Sequence, residues 1–410
     1  MPEIKNAAPV RAESLESFLR SEKNGLQKLL TVEEGWARKN LPDYAPRPDE
    51  LAFKADLSPA DIRAEFLRAI RVNPDVSLPL FIQPPPKGSC GQKQTLKYKD
   101  ISIVKDDVTW NKIIFCALKE GEAVAPIDVI AAAANEPDQG LDIRLWQDSG
   151  TEFGLIYGFG RQSFGNPKLA YDTSAPFHMA FYYESEIINL LAPRIKRTYP
   201  EYRVYLYQAL ARFAFKTGHP YWGYRFMGWG LHYVQDLTQP YHATALPKEN
   251  IFYLFWVNLM NELGFHKAMD DLIQLVSNRH LSFEVFQRDA IRRAYENHEE
   301  NNPVLLALSQ TKNDSSHKPF DNETIRTVLS REASAKADAL AEAVVKWMPS
   351  HLVKDPAYNF DPAVREEYVY DDLLKNNKDA IPPLEDMIAD LFESVGVQSR
   401  NYVHSIICDL

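Results

Sequence analysis

Between residues 228 and 243 the chain reads GWGLHYVQDLTQPYHA, which spaces two imidazoles and a carboxylate, His232, Asp236 and His242, as a metal site would. In a helix His232 and Asp236 stand one turn apart, so both side chains project from one face and can close on one cation. Pro240 ends that helix, and His242 follows on the turn after it, bringing a third ligand from outside. Ligands drawn from a helix and the turn after it are a common way to surround a zinc ion.

Three other histidines also have an aspartate four positions on. Pro319 interrupts the His317/Asp321 pair and Pro356 follows His351/Asp355, so both read as loop rather than helix. His266/Asp270 sits in NELGFHKAMDDL, where Glu262, His266 and Asp270 are expected at successive turns of one helix face. None of the ten histidines precedes His178, and six fall from His178 to His280. Such a cluster on apolar helices is costly to bury without a cation, which favours a metal site over isolated core histidines.

The run LHYVQDLTQPYHA resembles the His-x3-Asp-x5-His signature of the zinc-dependent phospholipase C and single-strand nuclease superfamily, including its Asp-x2-Gln-Pro-x-His core. The preceding ALARFAFKTGHPYWGYRFMGWG is similar to the helix pair before that signature, and the likeness extends over roughly residues 125 to 275. The resemblance implies an all-α, multi-helix bundle carrying up to three zinc ions. It places His178, in APFHMAFYYES, with His232 and Asp236 on one metal, and it asks for an aspartate near AAAANEPDQGLD. Of Asn135, Glu136 and Asp138 in that stretch, Asp138 is chosen. In the nuclease branch a His-x3-Asp pair on a following helix completes a second metal, which His266 and Asp270 fit beside His242. The phospholipase branch uses His-x3-Glu, for which His280/Glu284 is the poorer match. Asp138 and Asp236 are the expected catalytic carboxylates, and Glu184 and Glu262 are expected to orient ligating imidazoles.

The family's third metal takes an amino-terminal Trp and an early histidine, and this chain begins with Met1 and has no histidine before His178. A third ion would need processing to expose Trp36 or Trp110, or a site rebuilt from other groups, so two zinc ions are the simpler expectation. GFGRQSFGNP, residues 158 to 167, lacks the spacing and the Lys-Ser/Thr of a phosphate-binding loop and reads as a turn-rich loop near His178.

With 410 residues, 45% of them hydrophobic, the chain can bury one large core or two modest ones. Residues 1–95 read as a helical extension closed by the loop IQPPPKGSCGQ, 96–350 as the zinc-binding catalytic core, and 351–410 as a tail of short helices. Gly223, Gly228 and Gly230 each cost about 0.5–1 kcal/mol in a helix, which predicts a close neighbour there. Cys90, Cys116 and Cys408 are odd in number and scattered, so a disulfide framework is not expected. The longest apolar run, IFYLFWVNLM, is too short to span a bilayer. The polar start predicts a cytoplasmic protein if taken literally, and a secreted or periplasmic one if a signal peptide has been removed.

Within the superfamily the same cluster serves phospholipids and single-stranded nucleic acid. A net charge of −10 weighs against a polyanion, because such binding leans on Lys and Arg. FYLFWV weighs toward lipid, although burial in the core is the plainer expectation for it. The expected function is therefore a zinc-dependent phospholipase C that releases phosphorylated headgroup from phosphatidylcholine-type lipids and touches a lipid surface peripherally. The alternatives are a single-strand nuclease and a non-catalytic, zinc-stabilised helical binding protein.

Overall fold

The computed structural model describes all residues except 1, 57, 59–60, 106–107, 109–111, 170–171, 364 and 409–410, so Trp110 lies outside the described residues. The architecture is mostly helical, with only strands of two or three residues among the described residues. Phe115–Ala117 pairs antiparallel with both Phe81–Ile82 and Thr95–Leu96, and Val10–Arg11 pairs with Ala123–Val124. No described helix is long and apolar enough to cross a membrane.

The centre is the signature helix, Pro220–Asp236. Gly218, at φ +85°, turns the chain out of the preceding Pro200–Lys216 helix, and Pro220 supplies a preset φ to the first turn of the next. Thirteen of the signature helix's residues are buried, from Tyr221 to Val234, so it is enclosed by neighbours rather than half-solvated. It packs on Pro200–Lys216, on Pro126–Ala133 and on the carboxy-terminal helix Ile381–Ile407. The glycines account for the closeness. A methyl group on Gly228 would stand 2.6 Å from Ala133 Cβ and 2.9 Å from the Ile130 carbonyl oxygen, while Gly230 faces Tyr402 and Gly223 faces the Phe215 ring.

Two large cores result. The first gathers the signature helix with the amino-terminal helix Leu15–Asn40, which contributes Phe18, Leu19, Leu26 and Leu30, so residues 1–95 share the main core. The second joins Phe283 and Phe286 of the long helix Lys267–Glu296 to Leu340 and Val344 of Arg331–Trp347 and to Leu384 and Ile388. The carboxy-terminal stretch departs from the expected short helices, because Ile381–Ile407 is continuous over 27 residues. Its prolines, Pro382 and Pro383, lie in the first turn, where a missing N–H costs nothing.

A disulfide joins Cys90 to Cys116, against the expectation from cysteine count. Cys116 lies in the central strand of the three-stranded sheet and is paired with Thr95. That register brings the loop carrying Cys90 beside it, a proximity that spacing in sequence cannot show.

Candidate metal centre

The signature helix ends at Asp236, before Pro240, and Pro240 opens a separate turn, Pro240–Ala243, that carries His242. His178 closes the short Ala175–His178 turn, anchored by Phe177 among Trp146, Phe159 and Tyr199. Phe159 is thereby spent on the core, which gives the 158–167 loop a structural role. The Ala180 N–H donates to the His242 carbonyl at 2.7 Å, so the two histidine-bearing turns are stitched together through their backbones.

Two groups of ligand-type atoms converge. In the first, Asp138, His178 and His232 offer atoms within 4.8 Å of one another. Asp236 joins them, its Oδ2 2.8 Å from His178 Nδ1 and 3.2 Å from His232 Nε2. The second holds His242, His280 and Glu284, with His242 Nε2 3.0 Å from His280 Nε2, which is in turn 2.8 Å from Glu284 Oε1. Asp236 stands between the groups, since its other oxygen is 3.8 Å from His242 Nδ1.

Tautomers follow from the partners. His232 Nδ1 lies 2.8 Å from the Ala134 carbonyl oxygen and His242 Nδ1 lies 3.1 Å from that of His178. A carbonyl can only accept, so each Nδ1 carries a hydrogen, and in the neutral ring Nε2 turns its lone pair inward. The interior is then rich in acceptors: ring lone pairs together with the carboxylates of Asp138, Asp236 and Glu284. Such a set repels itself unless protons or cations sit within it, and nitrogen and oxygen donors of this kind suit zinc.

The facing carboxylates favour positive charge on the rings, as they would favour a cation among them. Burial alone would depress the His232 imidazolium, but Asp236 and Asp138 outweigh it and hold it at about 10. Burial likewise opposes charge on His242, and Asp236 and Glu284 raise it. Burial would push Asp236 and Glu284 up, yet the facing histidines hold both far below the usual carboxylate range.

The upstream stretch separates by partner. Asn135 donates to Gln83 at 2.8 Å. Glu136 is buried and receives both arms of the Arg225 guanidinium, at 3.0 and 2.5 Å, together with the Trp229 N–H. Asp138, on the 3-10 turn Pro137–Gln139, is the one of the three that reaches the cluster.

His266 and Asp270 do not join it. Gly264, at φ +88°, ends the Ile251–Glu262 helix, so Glu262, His266 and Asp270 share no continuous face and all three are exposed. His266 instead caps the next helix and bonds Asn261 at 2.8 Å. His280 and Glu284, at i and i+4 within the unbroken helix Lys267–Glu296, occupy the place expected for them. Glu184 accepts from the Ala245 and Leu246 N–H groups, bracing the chain after His242 rather than an imidazole. Trp36 sits inside Leu15–Asn40, stacked on Tyr205 at 3.6 Å, which leaves its backbone in the helix and out of reach as a terminal ligand. His317 lies beside Gln398 and His351 beside Tyr358, neither in a metal-ligating group.

Asp142 escaped the sequence reading. It is fully buried, accepts from Arg203 at 2.6 Å and Tyr233 at 2.5 Å, and sets Oδ2 3.6 Å from His178 Nε2. That nitrogen is buried with no hydrogen-bond partner, and Asp142 is the carboxylate placed to orient the ring from behind.

A cavity of about 220 Å³ borders both groups, lined by Asp236 and Glu284 together with Gln235, Gln239, Gln287, Leu391 and Phe392. Comparisons of the chain with protein families, curated proteins and solved structures found no match.

Proposed function

We propose that this chain is a zinc-dependent phosphodiester hydrolase, acting as a phospholipase C on phosphatidylcholine-type lipids. The observation that carries the proposal is the pair of inward-facing histidine and carboxylate groups that meet at Asp236 beside one cavity. Asp138, His178, His232 and Asp236 would hold one zinc, and His242, His280 and Glu284 a second. Bound there, the two ions supply charge neutralisation for a phosphate and acidify a water to near-neutral pKa, about 7.

The chain's own residues do the rest. Asp236, buried against two imidazoles, stays ionised and ties the groups together. Asp138, with 43% of its side chain exposed, is the carboxylate with room to take a proton from the attacking water. Gln235, Gln239 and Gln287 offer the cavity neutral donors for phosphate oxygens. At about 220 Å³ the cavity is smaller than the roughly 300–1,000 Å³ of whole-ligand pockets and suits a headgroup whose lipid tail stays outside.

The His-x3-Glu spacing of His280 and Glu284 supports the phospholipase branch over the nuclease branch, whose His-x3-Asp counterpart, His266/Asp270, lies outside the cluster. The Cys90–Cys116 disulfide supports an exported protein, since such bonds persist in oxidising compartments.

The test is metal analysis combined with a product assay. Purified protein should carry two zinc ions per chain and release phosphorylated headgroup and diacylglycerol from phosphatidylcholine, leaving single-stranded DNA and RNA intact. Cleavage of nucleic acid without headgroup release would move the assignment to the nuclease branch. Full metal loading with neither activity would leave a zinc-stabilised binding protein.

A further inference from the structure

The segment between His242 and His280 holds a surface that the metal centre does not use. Its helix Ile251–Glu262 buries only Leu254 and Val257, against Phe181, Ile188, Ile195 and Leu272 of a satellite cluster. The remaining apolar side chains point outward: Phe252 is 83% exposed, Trp256 49%, Leu259 58%, Leu263 63% and Phe265 62%. Positions 252, 256, 259 and 263 lie along one helical stripe, which Phe265 extends past the turn. Leu190, 77% exposed, belongs to the neighbouring helix Glu186–Leu191, which packs on the same cluster. A sequence as apolar as FYLFWV is expected in a core, and here only its Leu254 and Val257 are buried.

The chemistry of this face selects its partner. Residues 251 to 261 contain no charged side chain. The amides are already engaged, Asn258 donating to the Leu254 carbonyl at 3.1 Å and Asn261 bonding His266 at 2.8 Å. A protein partner reads a surface through about one hydrogen bond per 100–200 Å², and these side chains offer almost no directional group. Aromatic rings on an otherwise aliphatic stripe suit a boundary between headgroups and acyl chains, which needs no fixed geometry. Cations are present on the same knoll: Arg194 and Lys196 are exposed on the turn Pro193–Lys196, whose Ile195 joins the satellite cluster, while Lys267, just past Phe265, is paired with Asp271 at 2.6 Å.

We infer that the Ile251–Phe265 segment is a docking surface for a phospholipid bilayer, entering the interface with Phe252, Trp256, Leu259, Leu263 and Phe265 while Arg194 and Lys196 meet headgroup phosphates. The docking is a property of this face alone. Its link to turnover rests on the phospholipase reading.

The experiment compares the purified chain with the variant Phe252→Ser/Trp256→Ser/Leu263→Ser on phosphatidylcholine vesicles containing some phosphatidylglycerol. Binding is read by co-sedimentation and headgroup release is assayed in the same tubes. The unaltered chain should sediment with the vesicles, and the variant should bind on the order of 100-fold more weakly. Both should hydrolyse a monomeric short-chain phosphatidylcholine equally. Sedimentation without any headgroup release would sustain the docking surface while the phospholipase reading fails. An unaltered chain that stays in the supernatant, a variant that binds equally well, or a dimer that forms in place of vesicle binding and is lost in the variant would overturn the inference. Should the triple variant not fold, quenching by bromine-labelled acyl chains decides: fluorescence of the unaltered chain should fall more than that of Trp256→Phe, and equal quenching would refute insertion.

Discussion

His242 Nε2 and His280 Nε2 stand 3.0 Å apart with Glu284 Oε1 2.8 Å from the latter, so two rings and a carboxylate converge where a cation would satisfy all three. Replacing His280 or Glu284 by Ala should therefore remove one of two zinc ions and with it the hydrolytic activity, while His266→Ala and Asp270→Ala should leave both ions in place. Elemental analysis of the four variants checks this, and loss of zinc from the His266 variant would sink the ligand assignment. The trio His232, Asp236 and His242 was readable because an i, i+4 pair and a following proline are local geometry. His266/Asp270 misled because spacing treats a helix as continuous, whereas Gly264 takes the left-handed conformation and ends it. The better pair was available from the unbroken apolar periodicity around His280. Asp142 could not be read, since the partners that bury it, Arg203 and Tyr233, are 61 and 91 residues away.

Helices place these residues through contacts that leave little slack. Gly228 touches the helix Pro126–Ala133, and Ala134, just beyond it, supplies the carbonyl that sets the His232 tautomer. Gly228→Ala should push that helix outward, costing about 1–3 kcal/mol of stability. Zinc should weaken in the Asp138/His178/His232 group more than in the His242 group, which isothermal titration of both sites would resolve. The glycines signalled a close neighbour in the sequence, but which helix approached could not be known without the fold.

A second interface at this scale is pH-sensitive and weakens as pH rises. Glu33, on Leu15–Asn40, is pushed up to about 7 by burial, only partly offset by its hydrogen bond with Tyr205 and by the charge of Arg212 on the adjacent helix. A carboxyl with a raised folded-state pKa imposes no penalty below 4.5, and stability is lost as pH rises from there through about 7. The loss should amount to roughly 1–3 kcal/mol above that window. Glu33→Gln should remove it, giving a higher melting temperature than the unaltered chain at pH 8 and an equal one at pH 4. Parallel melting curves across pH provide the check, and a constant difference at all pH values would contradict it.

Across the whole molecule the disulfide and the two cores set behaviour. Cys90 and Cys116 close a loop with a sequence separation of 26, and removing such a bond costs about 2–4 kcal/mol. Cys90→Ser/Cys116→Ser should lower the unfolding free energy by that amount, read as a lower denaturant midpoint, and reductant should lower the midpoint of the unaltered chain but not of the variant. The helical class and the absence of a long apolar span were apparent from periodicity and run length. The disulfide and the outward-facing 251–265 segment were not, because one needs strand register and the other needs the identity of what packs behind it.

The two histidine–carboxylate groups also lie on the seam between the cores. Tyr233 and Leu237 flank Asp236 in the first, while Tyr241 and Phe283 flank His242 and His280 in the second. With zinc bound as proposed, ligands drawn from both halves would make the ions a cross-link between them. Loaded protein should then melt as one cooperative unit, and stripped protein as two. In a cell this works as a checkpoint: a chain starved of zinc would offer the Lys267–Glu296 helix to proteases, and clearance would follow metal supply rather than sequence quality.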